Sequence, residues 1–187
     1  MRVLAGALKG RRLVAPRGTT TRPTTDQVRL ALLDTLTPWL PGARVLDLFA
    51  GTGGVGFEAL SRGADASTFV ERDPRALAAL AANVDALGVA SSARVIRGDV
   101  ARVLPRLAAA GGRFSIVFLD PPYDGDLVAE TLSRLGEGAL TAPDAIVVAQ
   151  HPTKLPPAAH VGCLTVYRTR RFGETMLTFY RHAAGAP

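Results

Sequence analysis

Val45-Leu46-Asp47-Leu48-Phe49-Ala50-Gly51-Thr52-Gly53-Gly54-Val55-Gly56 is the stretch on which the fold turns. An apolar run stops at Asp47-Leu48, glycines crowd the next turn, and a helix-forming segment begins at Gly54. Gly51, Gly53 and Gly56 satisfy G-x-G-x-x-G, and Glu71 follows twenty residues after Gly51. Strand, glycine loop and helix in that order open a βαβ unit, whose loop at the carboxyl end of the strand is a ligand position.

Working outward, the pattern repeats. Strands are expected at Ala43–Leu48, Ser67–Glu71, Ala93–Arg97, Phe114–Leu119 and Ala145–Gln150. Between them, helices are expected at Gly54–Ser61, Pro74–Leu87, Val100–Ala110 and 126–135. Asp73 as N-cap, Pro74 in the first turn and Gly88 past the end frame the second of these. A further helix through Val28–Leu36 is capped by Thr25 or Asp26 and stopped by Pro38 and Pro41-Gly42. Alternating βα units imply an α/β domain with a mostly parallel sheet. Residues 161–167 and 174–181, separated by a loop at Arg168–Gly173, read as an antiparallel C-terminal hairpin. Residues 2–5 and 12–15, turned by Gly6 and Gly10, read as an N-terminal β-hairpin too short for its own core. That hairpin is expected to project as an arm, residues 1–18, from a domain spanning 19–187.

Composition narrows the function classes. The 187 residues are 48% hydrophobic and 20% charged, ordinary globular usage that excludes a mostly disordered chain. No run approaches the roughly 18 apolar residues of a membrane span, and the start does not read as a signal peptide. A single cysteine, Cys163, excludes an internal disulfide framework and reads as packing. His151, His160 and His182 are scattered without ligand spacing, so no metal is expected. Trp39 reads as a core or interface plug, and Asn83 as solvated or structural. A cytoplasmic monomer is the expectation.

The net charge of +6 is unevenly spread: residues 1–44 carry +6, residues 45–163 carry −3, and residues 164–187 carry +3. Clustered arginine suits phosphate through counterion release and bidentate hydrogen bonds. Lys9, Arg11, Arg12, Arg22 and Arg29 at one end, and Arg168, Arg170 and Arg171 at the other, are the candidate RNA contacts.

The glycine loop alone fits a dinucleotide, but Asp47 argues against one. A carboxylate beside the loop repels a pyrophosphate and suits a ligand with a cationic ammonium, such as S-adenosylmethionine. A structural turn with Asp47 capping the helix is the alternative. Glu71, at the end of the second strand, is placed for ribose hydroxyls. Asp99, after the third strand, suits an adenine amine or caps the helix from Val100. With Phe49, Thr52, Arg72 and Val100 beside them, these positions make the candidate cofactor site.

Asp120-Pro121-Pro122-Tyr123 follows the fourth strand. Two prolines fix φ and remove two backbone donors. What remains is acceptor-rich, which suits a bound –NH2 group, and Tyr123 offers a flat face to an aromatic base. A nucleobase amine is a weak nucleophile because its lone pair is delocalised. Accepting its hydrogen bonds favours a pyramidal nitrogen and holds it in line for methylation. A paired base has to be flipped out to reach such a loop.

These motifs resemble the N-methyltransferases with a [DN]-P-P-[YFW] loop, and more narrowly the RsmD family of 16S rRNA guanine-N2 methyltransferases. Arg22-Pro23-Thr24-Thr25-Asp26-Gln27-Val28-Arg29 is similar to that family's R-P-T-T-D-x-V-R signature. Arg2–Gly6 with Gly10–Leu13 resembles its opening hairpin, and Glu58–Ala64 its helix after the cofactor loop. Arg171-Phe172-Gly173-Glu174-Thr175 resembles its closing hairpin. The resemblance implies a seven-stranded Rossmann-like methyltransferase sheet, S-adenosylmethionine as methyl donor, and a guanine in 16S rRNA, within a small-subunit particle, as target. Where the family commonly has Val-Glu at the end of the fifth strand, this chain has Ala149-Gln150, and Leu30 stands where Glu is frequent. The competing functions are a DNA adenine-N6 methyltransferase, a glutamine methyltransferase of proteins, an NAD-dependent oxidoreductase and a non-catalytic RNA-binding module.

Overall fold

A computed structural model describes residues 1–15, 25–122 and 126–183. The chain forms two compact units, Met1–Asp99 and Val100–Pro187.

In the first unit, helix α1 (Asp26–Leu36) starts where the Thr25 hydroxyl accepts from the Val28 N–H. A short 3-10 turn, Thr37–Trp39, follows. Then come β1 (Arg44–Leu48), α2 (Gly54–Ser61), β2 (Ala66–Glu71), α3 (Pro74–Leu87) and β3 (Ala93–Arg97). β1 and β3 both pair with β2 in parallel, giving the order β3-β2-β1. Four of the five β1 residues are buried, as in a strand covered on both faces. The cap on α3 is the one expected: Asp73 Oδ1 accepts from the N–H groups of Arg75 and Ala76 at 2.8 and 2.9 Å.

The N-terminal segment departs from expectation. Its two halves do pair as a hairpin, through the Arg2–Arg12 bridge and through bonds from Val3 N–H to the Arg11 carbonyl (3.0 Å), Gly10 N–H to the Val3 carbonyl (2.9 Å) and Leu13 N–H to the Met1 carbonyl (3.0 Å), but the hairpin does not stand off as an arm. Val3 (1% exposed) and Leu13 (6%) lie in a core cluster with Phe57, Phe69, Leu80, Val84 and Leu87. Helix α2 holds the backbone directly. The buried Glu58 carboxylate accepts from Leu4 N–H and Ala5 N–H at 2.7 and 2.9 Å, and from Arg62 Nε at 3.1 Å. Ala7 N–H donates to the Ser61 carbonyl at 2.7 Å. At Gly6 (φ +80°) an added Cβ would lie 1.8 Å from that carbonyl oxygen, so only glycine permits the approach. The segment needs no core of its own because it shares the core of α2 and α3.

The second unit contains α4 (Val100–Ala109), β4 (Phe114–Leu119), α5 (Leu127–Gly136), β5 (Thr141–Pro152), β6 (His160–Val161), β7 (Leu164–Phe172) and β8 (Thr175–His182). β4 and β5 are parallel; β8, β7 and β6 then add antiparallel, in the order β4-β5-β8-β7-β6. The chain is thus a Rossmann-like α/β protein with a C-terminal antiparallel hairpin. It has eight strands among the described residues rather than seven, because Gly162 (φ +56°) divides β6 from β7. The loop expected at Arg168–Gly173 is mostly strand. Arg168, Arg170 and Arg171 sit on β7 opposite Phe179, Leu177 and Met176 of β8, after a register shift between Val166 and Arg168. Trp39, read as a plug, is 40% exposed. No helix among the described residues is long and apolar enough to cross a membrane.

His151 on β5 is fully buried. Its Nδ1 lies 2.9 Å from the Pro152 carbonyl, which can only accept, so Nδ1 carries the proton and Nε2 accepts from the Thr178 hydroxyl at 2.8 Å. Burial pushes its pKa below the ordinary 6.5. The neutral ring is therefore the folded form. Its stabilising contribution is full above the unfolded pKa and is lost as pH falls below it. Urea unfolding should show stability declining from about pH 7 toward pH 5, by at most ~1.4 kcal/mol per pH unit from this one group. His151→Gln should flatten that decline; an identical pH slope in the variant would exclude His151 as its source.

Candidate active site

The first unit presents the loop between β1 and α2. Phe49 has φ +60° and is, among the described residues, the one non-glycine residue at positive φ; Gly51 (+55°) and Gly53 (+82°) share that region. Strain of this kind, about 1–3 kcal/mol for a residue with a side chain, persists where the surroundings fix it. Here they do. Ala50 N–H donates to the Val70 carbonyl at 3.0 Å, and Gly51 N–H to Glu71 Oε2 at 2.7 Å. Glu71 Oε1 accepts from Arg72 N–H and Asp73 N–H at 2.7 and 2.8 Å. Asn83 donates to the Thr52 carbonyl at 3.0 Å and exchanges bonds with both backbone groups of Val14. Asn83 is thus buried and structural, one of the two readings its sequence left open, with partners 31 and 69 residues away.

Packing dictates the glycines. A Cβ at Gly53 would meet Leu80 and Phe57 at 2.5 Å, and one at Gly56 would meet Phe69 at 2.3 Å. A Cβ at Gly51 would meet nothing within 4 Å. The loop is therefore packed from below and open above Gly51. Asp47 is 2% exposed, and its Oδ2 accepts from Gly56 N–H at 2.9 Å. That is the helix-capping arrangement, needed because Gly53 offers α2 no side-chain cap. Arg72 Nη1 pairs with Asp99 Oδ2 at 3.3 Å in an exposed ion pair. Val100, the next residue, is buried at the start of α4.

The second unit presents the end of β4. Asp120 is half-buried, Pro121 buried and Pro122 exposed; Tyr123 lies outside the described residues. Leu119 and Ala149 are register partners on β4 and β5, so Asp120 and Gln150 follow side by side. Gln150 Nε2 donates to Asp120 Oδ2 at 2.9 Å. Gln150 had marked itself only as a departure from the family pattern.

The basic residues divide. Lys9, Arg11, Arg12, Arg168 and Arg171 are exposed and Arg170 half-buried. Arg11 also donates to the Ala86 carbonyl, and Arg170 lies over the Phe172 ring with its guanidinium 5.7 Å from the centroid. Arg22 lies outside the described residues. Arg29 is a correction: it is 1% exposed, bonded to Asp26 Oδ1 at 3.0 Å and the Arg2 carbonyl at 2.7 Å. Burial lowers its pKa, opposed by the charges of Asp26 and Glu58. As it stands it ties α1 to the N-terminal segment instead of facing a phosphate.

A family model described as Conserved hypothetical protein 95 matches residues 1–181. YlbH of Bacillus subtilis (strain 168) is 39% identical over 181 residues, 97% of this chain and 98% of its own. Ribosomal RNA small subunit methyltransferase D of Escherichia coli (strain K12) is 32% identical over 184 residues, 98% of this chain and 91% of its own. The solved structure of YhhF from Escherichia coli superposes with a TM-score of 0.85 at 33% identity, covering 98% of both chains.

Proposed function

The chain belongs to the RsmD family of rRNA methyltransferases, and from that membership we propose that it methylates the exocyclic N2 amine of a guanine in 16S rRNA, with S-adenosylmethionine as donor. The observation that carries the reading is the acceptor-rich end of β4, where Asp120 is oriented by Gln150 beside two prolines that cannot donate.

The first unit's loop fits the donor in its chemistry. Open space above Gly51 admits close approach to backbone, and Glu71 and Asp99 supply acceptors for hydroxyl and amino groups. Phe49, Thr52, Gly53 and Arg72 of the same unit, with Val100 as the residue after Asp99, complete the residues assigned to the donor. Asp47 acts through the loop it shapes, and its charge still disfavours a pyrophosphate. Bound there, S-adenosylmethionine supplies a methyl group made electrophilic by its sulfonium. Asp120 accepts an N–H of the flipped guanine, and Tyr123 stacks on the base. Asp120 orients the N2 lone pair, which would take up that methyl group as the C–S bonding electrons stay with sulfur. The methylated nitrogen then gives its extra proton to water. Lys9, Arg11, Arg12, Arg22, Arg168, Arg170 and Arg171 hold phosphates around a single-stranded or loop guanine. The N-terminal arm expected at residues 1–18 serves in RNA contact, its described residues 1–15 held against α2 and α3.

Tritiated-methyl transfer to small subunits, naked rRNA and DNA, followed by nucleoside analysis, tests the reading. N2-methylguanosine from a ribosomal substrate is expected; N6-methyladenosine from DNA would overturn it. Glu71→Ala should weaken S-adenosylmethionine binding by about 1–3 kcal/mol, since the variant loses a charged acceptor and frees Gly51. Calorimetry on the folded variant measures this, and unchanged affinity would remove Glu71 from the site.

A further inference from the structure

Gln150 is 5% exposed, and its two amide atoms fare differently. Nε2 donates to Asp120, but Oε1 is buried and has no hydrogen-bond partner among the described residues. The assignment of the two atoms is not arbitrary. An ionised carboxylate only accepts, so the amide nitrogen must face Asp120 and the carbonyl must point elsewhere. A buried, unmet acceptor is uncommon in native proteins and costs folding free energy. It stands one bond network away from the carboxylate assigned to the reacting amine.

We propose that Gln150 is the specificity-determining residue of the base site: its Oε1 accepts the N1–H of guanine while Asp120 accepts from N2. This rests on the guanine-N2 reading above. The Watson–Crick edge of guanine places two donors next to each other, N1–H and N2–H2. Asp120 and Gln150, tied by one hydrogen bond, carry an acceptor each, the carboxylate and the unmet Oε1. A purine with an amine at C2 but no proton on N1 would set a lone pair against Oε1, and neither atom could supply the missing hydrogen. Sites built to receive a hydrogen bond reject the analogue that lacks it far more strongly than sites that discriminate by shape. Since Oε1 is covered in the free protein, the incoming base displaces the groups that close it off. The unmet acceptor is then satisfied only when the right base is seated.

The test uses small-subunit particles reconstituted with rRNA carrying, at the nucleotide the wild-type enzyme methylates, either guanine or 2-aminopurine. The latter keeps the C2 amine and lacks the N1 proton. Wild type should prefer guanine by about 100-fold or more in kcat/KM. Gln150→Ala should bring that preference within about tenfold, whatever it does to the absolute rate through Asp120. Gln150→Met, which keeps the side-chain length without Oε1, should do the same and serves if the alanine variant does not fold. Gln150→Glu, which keeps an acceptor in place, should retain the preference. Equal use of the two bases by wild type, or a preference undiminished in the alanine or methionine variant, would overturn the assignment and leave the reaction standing. Absence of methylguanosine from every ribosomal substrate would overturn the reaction and this assignment together.

Discussion

Asp120→Ala should leave the fold and S-adenosylmethionine binding near wild type and reduce methyl transfer by about 10²–10³-fold, the usual loss when one preorganised hydrogen-bonding group at a reacting centre is removed. The loss has two parts. The amine loses the acceptor that holds it in line, and Gln150 loses the partner that fixes its own orientation. Asp120→Asn should fall between, because its amide still offers one acceptor. Single-turnover transfer on small-subunit particles, with calorimetry for the donor and thermal unfolding for the fold, separates these effects. A rate within a few-fold of wild type in Asp120→Ala would move the chemistry away from the end of β4.

The second large effect concerns Glu58. Glu58→Ala should lower stability by about 3–5 kcal/mol, the cost of breaking a buried charge pair by removing one partner. At roughly 2–4 °C per kcal/mol for a chain of this size, that is about 6–20 °C in Tm. Two backbone N–H groups, at Leu4 and Ala5, and the Arg62 guanidinium lose their shared acceptor at once. Deleting residues 1–15 should be at least as severe. Burial of Val3 and Leu13 is worth about 1.5–3 kcal/mol each, against a typical total of about 5–15 kcal/mol. Donor affinity should fall with stability, because Asn83 braces both Val14 and the carbonyl of Thr52. A deletion variant that keeps its Tm and its donor affinity would restore the projecting arm that sequence reading suggested.

Why that reading failed at the N-terminus and succeeded elsewhere has a physical basis. The Asp73 cap, Pro74, Gly88 and the Gly51–Gly56 loop report themselves because their interactions are local or demanded by backbone conformation. Strand and helix limits along β1, α2, β2, α3 and β3 were accordingly close. The partners that Glu58, Ser61 and Asn83 find in the N-terminal segment lie 53 to 69 residues away, and no periodicity announces them. Val3 and Leu13 looked like the apolar half of any short strand, and only the packed core distinguishes them. Arg29 read as one more cation in a basic segment, although its place on the buried face of α1, beside Val28 and Leu32, was already implied by helical spacing. The arginines of β7 read as a loop because charge outweighs alternation, although an outer strand tolerates charge. Gln150 was visible as a substitution, but its meaning depended on the β4–β5 register.

The clamp on the N-terminal backbone sets an order of events during synthesis. Residues 1–15 can find Asn83, Leu80, Val84 and Leu87 only after α3 has been translated. At about 5–20 residues per second, the 69 residues between Val14 and Asn83 take about 3 to 14 s. Over that interval Val3 and Leu13 lack the α3 residues that complete their burial, although Phe57 is made earlier. The first unit therefore closes on a segment made well before α3, and residues 1–15 are among the last of that unit to reach their places.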